Sequence, residues 1–269
     1  MSSSDVDAGI YGLLKSAVRA EEPVSLATVV EGVNVGAKML VRPGLAMVGT
    51  LGDTSLDRVV ERDALGELSA GRTGVRHYGP EGQARERDVH VFIESFAPPP
   101  QMLIFGAVDF TAALARVAKV LGYRVTVCDA RPVFATAARF PMADELVVDW
   151  PNRLLERVGP DLGDRDAVCV LTHDPKFDIP AVIEALKTDV GYLGAMGSRR
   201  TTEDRNQRLR DEGVTDEQLA NIWAPIGLDI GARTPEETAI SICAEIIASR
   251  TGRQSTSLKD VEGAIHRTA

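Results

Sequence analysis

The stretch QMLIFGAVDFTAALARVAKVLGYRVTVCDA, residues 101–130, decides the fold of the second half of the chain. It begins with a short apolar run at 101–107, continues as an amphipathic segment of helical length, and ends with a second apolar run at 124–130. Short apolar strands that alternate with helices are typical of a parallel sheet, because each crossover lays a helix on one face of the sheet. The stretch therefore predicts a β-α-β unit of an open α/β fold.

The same alternation continues to residue 250. Three further apolar runs are predicted strands: 145–150, 166–173 and 190–197. A helix is predicted at 178–189, and a last one from Thr234 to Arg250. Thr234 as N-cap, Pro235 at the first helical position and Glu237 two residues later form a capping box. The second half is therefore predicted to be a Rossmann-like domain.

The first half has a different pattern. An initial helix is followed by runs of branched apolar residues bounded by Gly or Pro, which indicate strands. These predicted strands are 25–32, 37–43, 46–52 and 89–96, with a capped helix at 53–71. Three prolines at 98–100 cannot join a helix or a central strand. We predict an N-terminal α+β domain at 1–97, a proline linker at 98–101, a Rossmann-like domain at 102–250 and a tail at 251–269.

Composition limits the function classes. The chain has 269 residues, of which 44% are hydrophobic and 26% charged, and its net charge is −9. This acidity argues against a general nucleic-acid binder, which needs a basic face. No window reaches the length of a membrane span and no basic, apolar leader is evident, so we expect a cytoplasmic protein. Cys128, Cys169 and Cys243 are far apart in apolar contexts, which predicts buried thiols and no zinc site.

The turn after the first strand of the Rossmann-like half reads FGAVDFT, residues 105–111. A dinucleotide turn needs glycines for a tight bend and for close approach of the backbone to pyrophosphate. Only Gly106 is present, and Val108 and Thr111 replace the other two glycines. Asp109 places a negative charge where phosphate would bind and is interpreted as a helix cap. Asp129, 23 residues after Gly106, matches the position of a ribose-binding acid.

Polar residues follow two other predicted strands at the edge where ligands bind in open α/β sheets. These candidate binding residues are Thr172, His173 and Asp174 after one strand, and Gly197, Ser198, Arg199 and Arg200 after the next. A Gly-Ser-Arg-Arg turn that enters a helix offers amides, a hydroxyl and guanidinium groups for an oxyanion such as phosphate. A capped surface helix with solvated arginines is the alternative, and His173 with Asp174 is equally typical of a structural pair.

Two further candidates lie outside these turns. Gly227 and Gly231 flank a shaped loop that would bring Asp229 to a pocket, although a structural loop that needs positive φ explains the glycines equally well. Lys38, in an otherwise apolar strand, would offer a positive charge to an anionic ligand. The outward face of an edge strand is the alternative for Lys38.

Several segments carry a resemblance to a known family. They are VLTHDPKFDIPAVIEAL (170–186), YLGAMGSRR (192–200) and APIGLDIGARTPEETAISICAEIIA (224–248), with LATVVEG, GAKMLVR and VGTLG upstream. Together they resemble the XdhC/CoxI family, accessory proteins of xanthine dehydrogenase and related molybdenum hydroxylases. The chain departs from the family's Gly-Ala-Gly-His-Val-Gly turn at 106–111, and no cysteine precedes Cys128, so the resemblance is to a divergent member.

The resemblance implies a small N-terminal domain, a Rossmann-like domain and a chaperone rather than a catalyst. Family members bind the molybdenum cofactor, hold it while it is sulfurated with a cysteine desulfurase, and deliver it to the apo-enzyme of a molybdenum hydroxylase. On this hypothesis, Ser198, Arg199 and Arg200 hold the phosphate of a molybdopterin-type ligand, and His173 and Asp174 face its pterin or metal side. A homodimer is expected. The alternatives are a nicotinamide-dependent oxidoreductase, and a paralogue that keeps the fold but binds no cofactor.

Overall fold

The computed structural model describes residues 3–83 and 88–262. The chain divides into two compact units, Met1–Pro98 and Pro99–Ala269. Gln101, in the predicted linker, is the first residue of a strand. Of the predicted tail, residues 263–269 lie outside the described residues, and the part before them contains a short 3₁₀ turn at Leu258–Asp260.

The first unit is an antiparallel sheet with two helices. Its strands are β1 (Val24–Glu31), β2 (Lys38–Val41), β3 (Val48–Gly49), β4 (Gly74–Tyr78) and β5 (Val89–Phe96), and its helices are α1 (Ser3–Arg19) and α2 (Thr54–Ser69). The strand order is β3-β2-β1-β5-β4, so the long strands β1 and β5 lie in the centre. Asp53 caps α2 by accepting the backbone N–H groups of Ser55 and Leu56. As predicted, this unit is a small α+β domain.

Residues on opposite faces of the first sheet pack into two cores. Ala27 and Val29 of β1 face the same core as Leu56 and Val60 of α2. Val24, also on β1, packs instead in the core that contains residues of α1. This division follows the two-residue period of a strand, which points alternate side chains to opposite faces.

The second unit is a six-stranded sheet in which every neighbouring pair is parallel. Its strands are β6 (Gln101–Phe105), β7 (Arg124–Cys128), β8 (Glu145–Val147), β9 (Ala167–Val170), β10 (Tyr192–Ala195) and β11 (Ile222–Trp223). Its helices are α3 (Asp109–Val120), α4 (Pro151–Val158), α5 (Pro175–Ala185), α6 (Arg199–Asp211), α7 (Asp216–Leu219) and α8 (Pro235–Thr251). The strand order is β11-β10-β9-β6-β7-β8. The predicted α/β class, with a Rossmann-like parallel sheet, is confirmed.

Both faces of the parallel sheet are buried, as the near-continuous apolar strands predict. Met102 and Ile104 of β6 face a core that includes residues of α3 and α8. Leu103 and Phe105 face the other core, which includes residues of α4, α5 and α6. Because all four side chains are at most 1% exposed, β6 is the centre of the unit.

The predicted helices and strands agree with the structure where the local signals are strong. The capping box of α8 is present: Thr234 accepts the N–H of Glu237, whose side chain accepts the N–H of Thr234. Helix α5 begins at Pro175, three residues before the prediction, because Asp174 caps it. The edge strands β4 and β11 were not predicted. In β4 exposed residues alternate with less exposed ones, and β11 has only two residues.

Candidate functional site

The candidate site lies at the carboxyl edge of the parallel sheet, where the direction of chain winding changes. From β6 the chain proceeds to β7 and β8 on one side, and then returns to β9 on the other side of β6. In open α/β sheets ligands bind outside the carboxyl ends of the strands at such a switch point. The segments after β6, β7, β9 and β10 therefore form the candidate site, and ten of the eleven sequence-predicted residues lie in this unit.

Gly106 occupies the switch point itself. Its φ is +106°, and a Cβ there would lie 2.7 Å from Cγ2 of Thr172 and 3.0 Å from its backbone nitrogen. The turn thus brings the ends of β6 and β9 into contact, and only glycine fits. Thr111 does not open a phosphate cradle, because its buried hydroxyl donates to the carbonyl of Gly106.

The start of α3 differs from the prediction. The N-cap is Val108, which makes no side-chain capping bond, and Asp109 is the first residue of the helix rather than its cap. The Asp109 carboxylate is exposed and lies 3.4 Å from the guanidinium of Arg139. An acid in the first turn is favourable for the helix dipole, but it also repels an incoming phosphate. This end of α3 is therefore poorly suited to bind a dinucleotide.

Asp129 follows β7 in the position of a ribose-binding acid, yet its oxygens are already engaged. Its Oδ2 accepts the N–H of Ala107 at 2.8 Å. Its two oxygens also accept Nε and Nη2 of Arg131 at 2.9 and 2.8 Å, while Oδ1 accepts the N–H of Arg131. Burial opposes ionisation, but the bonds from Arg131 and Ala107 prevail and lower the pKa of Asp129. These contacts favour a structural role in which Asp129 ties the β6 turn to the β7 turn.

Aromatic and cationic side chains cluster around Arg131, the partner of Asp129. The Arg131 guanidinium lies 4.4 Å from the ring centroid of Phe134, and the rings of Trp150 and Phe177 are 5.0 Å apart. Lys176 Nζ lies 5.0 Å from the centroid of Trp150. We call these five residues the aromatic cluster. Flat rings beside fixed positive charges can stack a planar heterocycle that carries a phosphate.

A buried polar network joins the loops after β9 and β10, and sequence reasoning missed its two charged members. Asp178 and Arg205 are each 4% exposed, and Nη2 of Arg205 lies 3.3 Å from Oδ2 of Asp178. The same Nη2 donates to the carbonyl of Met196, and the hydroxyl of Thr172 donates to Oδ1 of Asp178. We call Thr172, Asp178 and Arg205 the buried network. It places Thr172, a predicted site residue, next to the turn that begins at Gly197.

A periodic signal for Arg205 did exist in the sequence. Thr202, Arg205 and Leu209 are the buried residues of α6, and their spacing of three and four marks one helix face. In the string RRTTEDRNQRLRD this face contains only one apolar residue, so the helix resembles a fully solvated one. The apolar pattern is therefore too weak to identify the buried face of α6 from the sequence.

Asp178 should make the stability of the protein depend on pH in an unusual direction. Burial raises its pKa to about 6, above the ordinary 3.8, although Arg205 acts to lower it. Between these values the folded protein binds more protons than the unfolded chain, so this contribution is present near pH 4 and is lost as the pH rises through 6. We expect the free energy of unfolding of the wild type, relative to Asp178→Asn, to fall by about 2–3 kcal/mol from pH 4 to pH 7.

Urea denaturation of both proteins across this range measures the difference. Other carboxyl groups cancel because they are shared by the two proteins. If the free energies of unfolding of the two proteins change with pH in parallel, Asp178 has an ordinary pKa in the folded state.

The remaining predicted residues near the site are mostly exposed. Ser198 caps α6 by accepting the N–H of Thr201 at 3.1 Å, and Arg199 and Arg200 are exposed at the start of that helix. His173 and Asp174 are exposed after β9, where Asp174 accepts the N–H of Lys176 as the cap of α5. The structure thus gathers these turns at one sheet edge and leaves both arginines accessible to a ligand.

Two predicted residues stand apart from this arrangement. Asp229 is exposed on the loop between β11 and α8, and this loop is held to α8 by Ser241, which donates to the carbonyl of Leu228. Lys38 belongs to the first unit, where its Nζ donates to the carbonyl of Gly36 at 3.0 Å. This contact is typical of an exposed loop and does not by itself indicate a ligand.

The three cysteines are buried free thiols, as predicted. Burial raises the pKa of Cys128 and of Cys243 to about 12, so neither is a thiolate at neutral pH. Within the described ranges, no group of three or more His, Cys, Asp or Glu side chains is arranged to hold a metal ion. None of the helices in those ranges is long and apolar enough to span a bilayer.

The chain is similar to curated proteins whose names refer to xanthine dehydrogenase or to insertion of the molybdenum cofactor. The chain is 32% identical over 165 residues to a probable xanthine dehydrogenase component of Bacillus subtilis (strain 168), covering 61% of this chain and 47% of that one. It is 28% identical over 166 residues to the molybdenum cofactor insertion chaperone PaoD of Escherichia coli (strain K12), covering 62% and 45%. The chain therefore spans less than half the length of these curated relatives.

A solved structure supports the fold. The crystal structure of a xanthine dehydrogenase from Bacillus halodurans superposes with a TM-score of 0.54 at 22% identity, covering 93% of this chain and 98% of that one. At this identity the likeness concerns the fold alone. The profile of the XdhC Rossmann domain matches residues 102–246, and that of the XdhC and CoxI family matches residues 17–79. Because the Rossmann-domain match alone spans more than half of the sequence, the chain belongs to the XdhC and CoxI family.

Proposed function

We propose that this chain is an accessory protein of a molybdenum hydroxylase that binds the molybdenum cofactor as cargo. It holds the cofactor for sulfuration, in contact with a cysteine desulfurase, and delivers it to an apo-enzyme of the xanthine dehydrogenase or CO dehydrogenase type. Family membership carries the proposal, and a relative named as a molybdenum cofactor insertion chaperone supports it. We further propose that it acts as a cytoplasmic homodimer.

The chemistry of the cargo suits the carboxyl edge of the parallel sheet. A molybdopterin-type ligand has a flat heterocycle at one end and a phosphate at the other. The aromatic cluster offers Trp150 and Phe177 for stacking of the ring, and Arg199 and Arg200 offer exposed positive charge beside a helix N-terminus. His173 would then face the pterin or its metal side.

The same edge disfavours the nicotinamide alternative. Val108 fills the place where a glycine would admit pyrophosphate, and Asp109 brings a negative charge to the start of α3. The oxygens of Asp129 are already engaged by Arg131 and Ala107, so ribose hydroxyls would have to displace these donors.

Because delivery requires release, the cargo needs only moderate affinity and no covalent step by this chain.

Retention of released molybdenum cofactor on gel filtration tests the proposal. Wild-type protein should co-elute with the pterin, detected by fluorescence after oxidation. Arg199→Ala with Arg200→Ala should weaken retention by about threefold to tenfold at low salt, because exposed charges contribute modestly. The difference should shrink as salt screens the charges.

Two outcomes would contradict the proposal. One is the absence of pterin from the protein peak for the wild type and the double variant alike. The other is micromolar affinity for NADH in a calorimetric titration, which would favour an oxidoreductase. A matched control is Arg62→Ala, which removes an exposed arginine on α2 in the first unit.

A further inference from the structure

Helix α6 contains buried polar atoms that the described part of the chain does not satisfy. Among the described residues, the buried side-chain atoms with no hydrogen-bond partner are Oγ1 of Thr202 and Nε and Nη1 of Arg205. Thr202 is 8% exposed and Arg205 is 4% exposed. Buried donors without an acceptor are costly, most of all on a charged group, and folded proteins rarely keep them unpaired. These atoms therefore point to a group that lies outside the described residues.

The guanidinium that carries two of these atoms lies beneath the turn that starts the helix. Nη2 of Arg205 is 3.5 Å from the position that a Cβ on Gly197 would occupy, and the same nitrogen donates to the carbonyl of Met196. A side chain at 197 would also lie 3.2 Å from Cβ of Thr201. Gly197, with φ of +154°, thus keeps the backbone close to the guanidinium and puts no side chain between it and the turn.

The charges at this position favour an anion. Helix α6 has 13 residues, and its first N–H groups carry the positive end of the helix dipole. Arg199 and Arg200 add exposed positive charge, and Arg205 adds a buried one. The negative group paired with Arg205 is Asp178, whose two oxygens are engaged by Thr172 and by Nη2 of Arg205. Nε and Nη1, both buried, have no acceptor among the described residues, and an oxygen-rich ligand seated in the turn would supply one.

We propose that the Gly197–Ser198 turn, with Thr202 and Arg205 beneath it, binds a phosphate monoester, and that these two buried side chains supply most of its affinity. The assignment rests on the proposed function, in that the phosphate of the pterin cargo is the expected ligand. It differs from the sequence-based expectation, which gave this role to Ser198, Arg199 and Arg200. Arg199 and Arg200 attract the anion, and Thr202 and Arg205 hold it.

Titration with inorganic phosphate tests the site without the cofactor. Line broadening in ³¹P NMR should show saturable binding to the wild type. Thr202→Val should weaken binding by about fivefold, as expected for one lost hydrogen bond. Arg205→Lys keeps a charge beside Asp178 but loses the planar donors, and it should weaken binding by about tenfold or more.

A structural role for Thr202 would give a different result. Since its hydroxyl has no partner among residues 3–83 and 88–262, Thr202→Val should not lower the melting temperature of the phosphate-free protein. Thr251→Val is the matched control, because that hydroxyl is exposed and bonded to the carbonyl of Ile247 at the far end of α8. It should leave phosphate affinity unchanged.

The outcomes separate this site from the proposed function. Absence of phosphate binding to the wild type overturns the site, as does unchanged affinity in Thr202→Val. Full loss on Arg199→Ala with Arg200→Ala, combined with normal affinity in Arg205→Lys, also overturns it. Phosphate binding that Thr202→Val weakens, in a protein that retains no pterin, upholds the site and contradicts the chaperone function.

Discussion

Arg205→Met should lower the free energy of unfolding by about 3–5 kcal/mol, the usual cost of removing one partner from a buried ion pair. The variant leaves the carboxylate of Asp178 at 4% exposure without its counter-charge, and the carbonyl of Met196 loses its donor. Methionine keeps most of the side-chain volume, so the loss of stability comes from the unpaired charge of Asp178 rather than from a cavity. Urea denaturation at pH 7, followed by circular dichroism, measures it.

A double-mutant cycle identifies the cause. Asp178→Asn removes the stranded charge but still offers an acceptor to the hydroxyl of Thr172, so adding it to Arg205→Met should recover about half of the loss or more. Additive effects of the two substitutions would mean that the residues do not interact. A loss below about 1 kcal/mol in Arg205→Met alone would mean that Arg205 is not the group that neutralises Asp178.

Gly106→Ala should destabilise the second unit by about 2–4 kcal/mol. Two costs combine: a left-handed backbone at φ +106° costs an alanine roughly 1–2 kcal/mol, and the contact of its Cβ with Thr172 forces a shift of similar cost. The nearest atoms are Cγ2 of Thr172 at 2.7 Å and its backbone nitrogen at 3.0 Å. Thermal and urea denaturation both report the change.

Gly122 provides the matched control for the backbone term. Its φ is +82°, and no atom lies within 4 Å of a Cβ built there. Gly122→Ala should therefore cost only the backbone term, about 1 kcal/mol. Adding Thr172→Ser to Gly106→Ala removes the Cγ2 contact and should recover part of the loss. Equal costs for the two glycine variants would contradict a close approach of the β6 and β9 turns.

The fold was predictable because its signals are local and repeated. The apolar runs of β6, β7, β9 and β10 are each followed or preceded by a helix, so several independent patterns indicate the same parallel sheet. The capping box at Thr234 located the start of α8 to one residue. The edge strands β4 and β11 were missed because an edge strand pairs on one side only and needs little apolar sequence.

The candidate site was predictable only in part. The strand order places the turn after β9 beside Gly106 and the turn after β10 next to it along the same sheet edge, which the rule for open α/β sheets anticipated. The role of Asp129 depends on Arg131 and Ala107, whose donors reach it only in the folded turn. Asp109, interpreted as a cap, proved to be the first helical residue, since cap geometry depends on one backbone angle that sequence does not report. The binding roles of these residues remain predictions.

Local chemistry and tertiary structure thus determined different features of this protein. Period, turn residues and caps act within a few positions of the chain, and they suffice for the parallel sheet and the succession of its strands and helices, whereas the family was indicated by the resemblance of whole segments. The pairing of Asp178 with Arg205 joins residues 27 positions apart on two helices, and the unsatisfied atoms of Thr202 and Arg205 depend on how α6 is buried. Burial and pairing across such distances arise only when the elements pack, because a charged side chain looks the same in the sequence whether water or protein surrounds it.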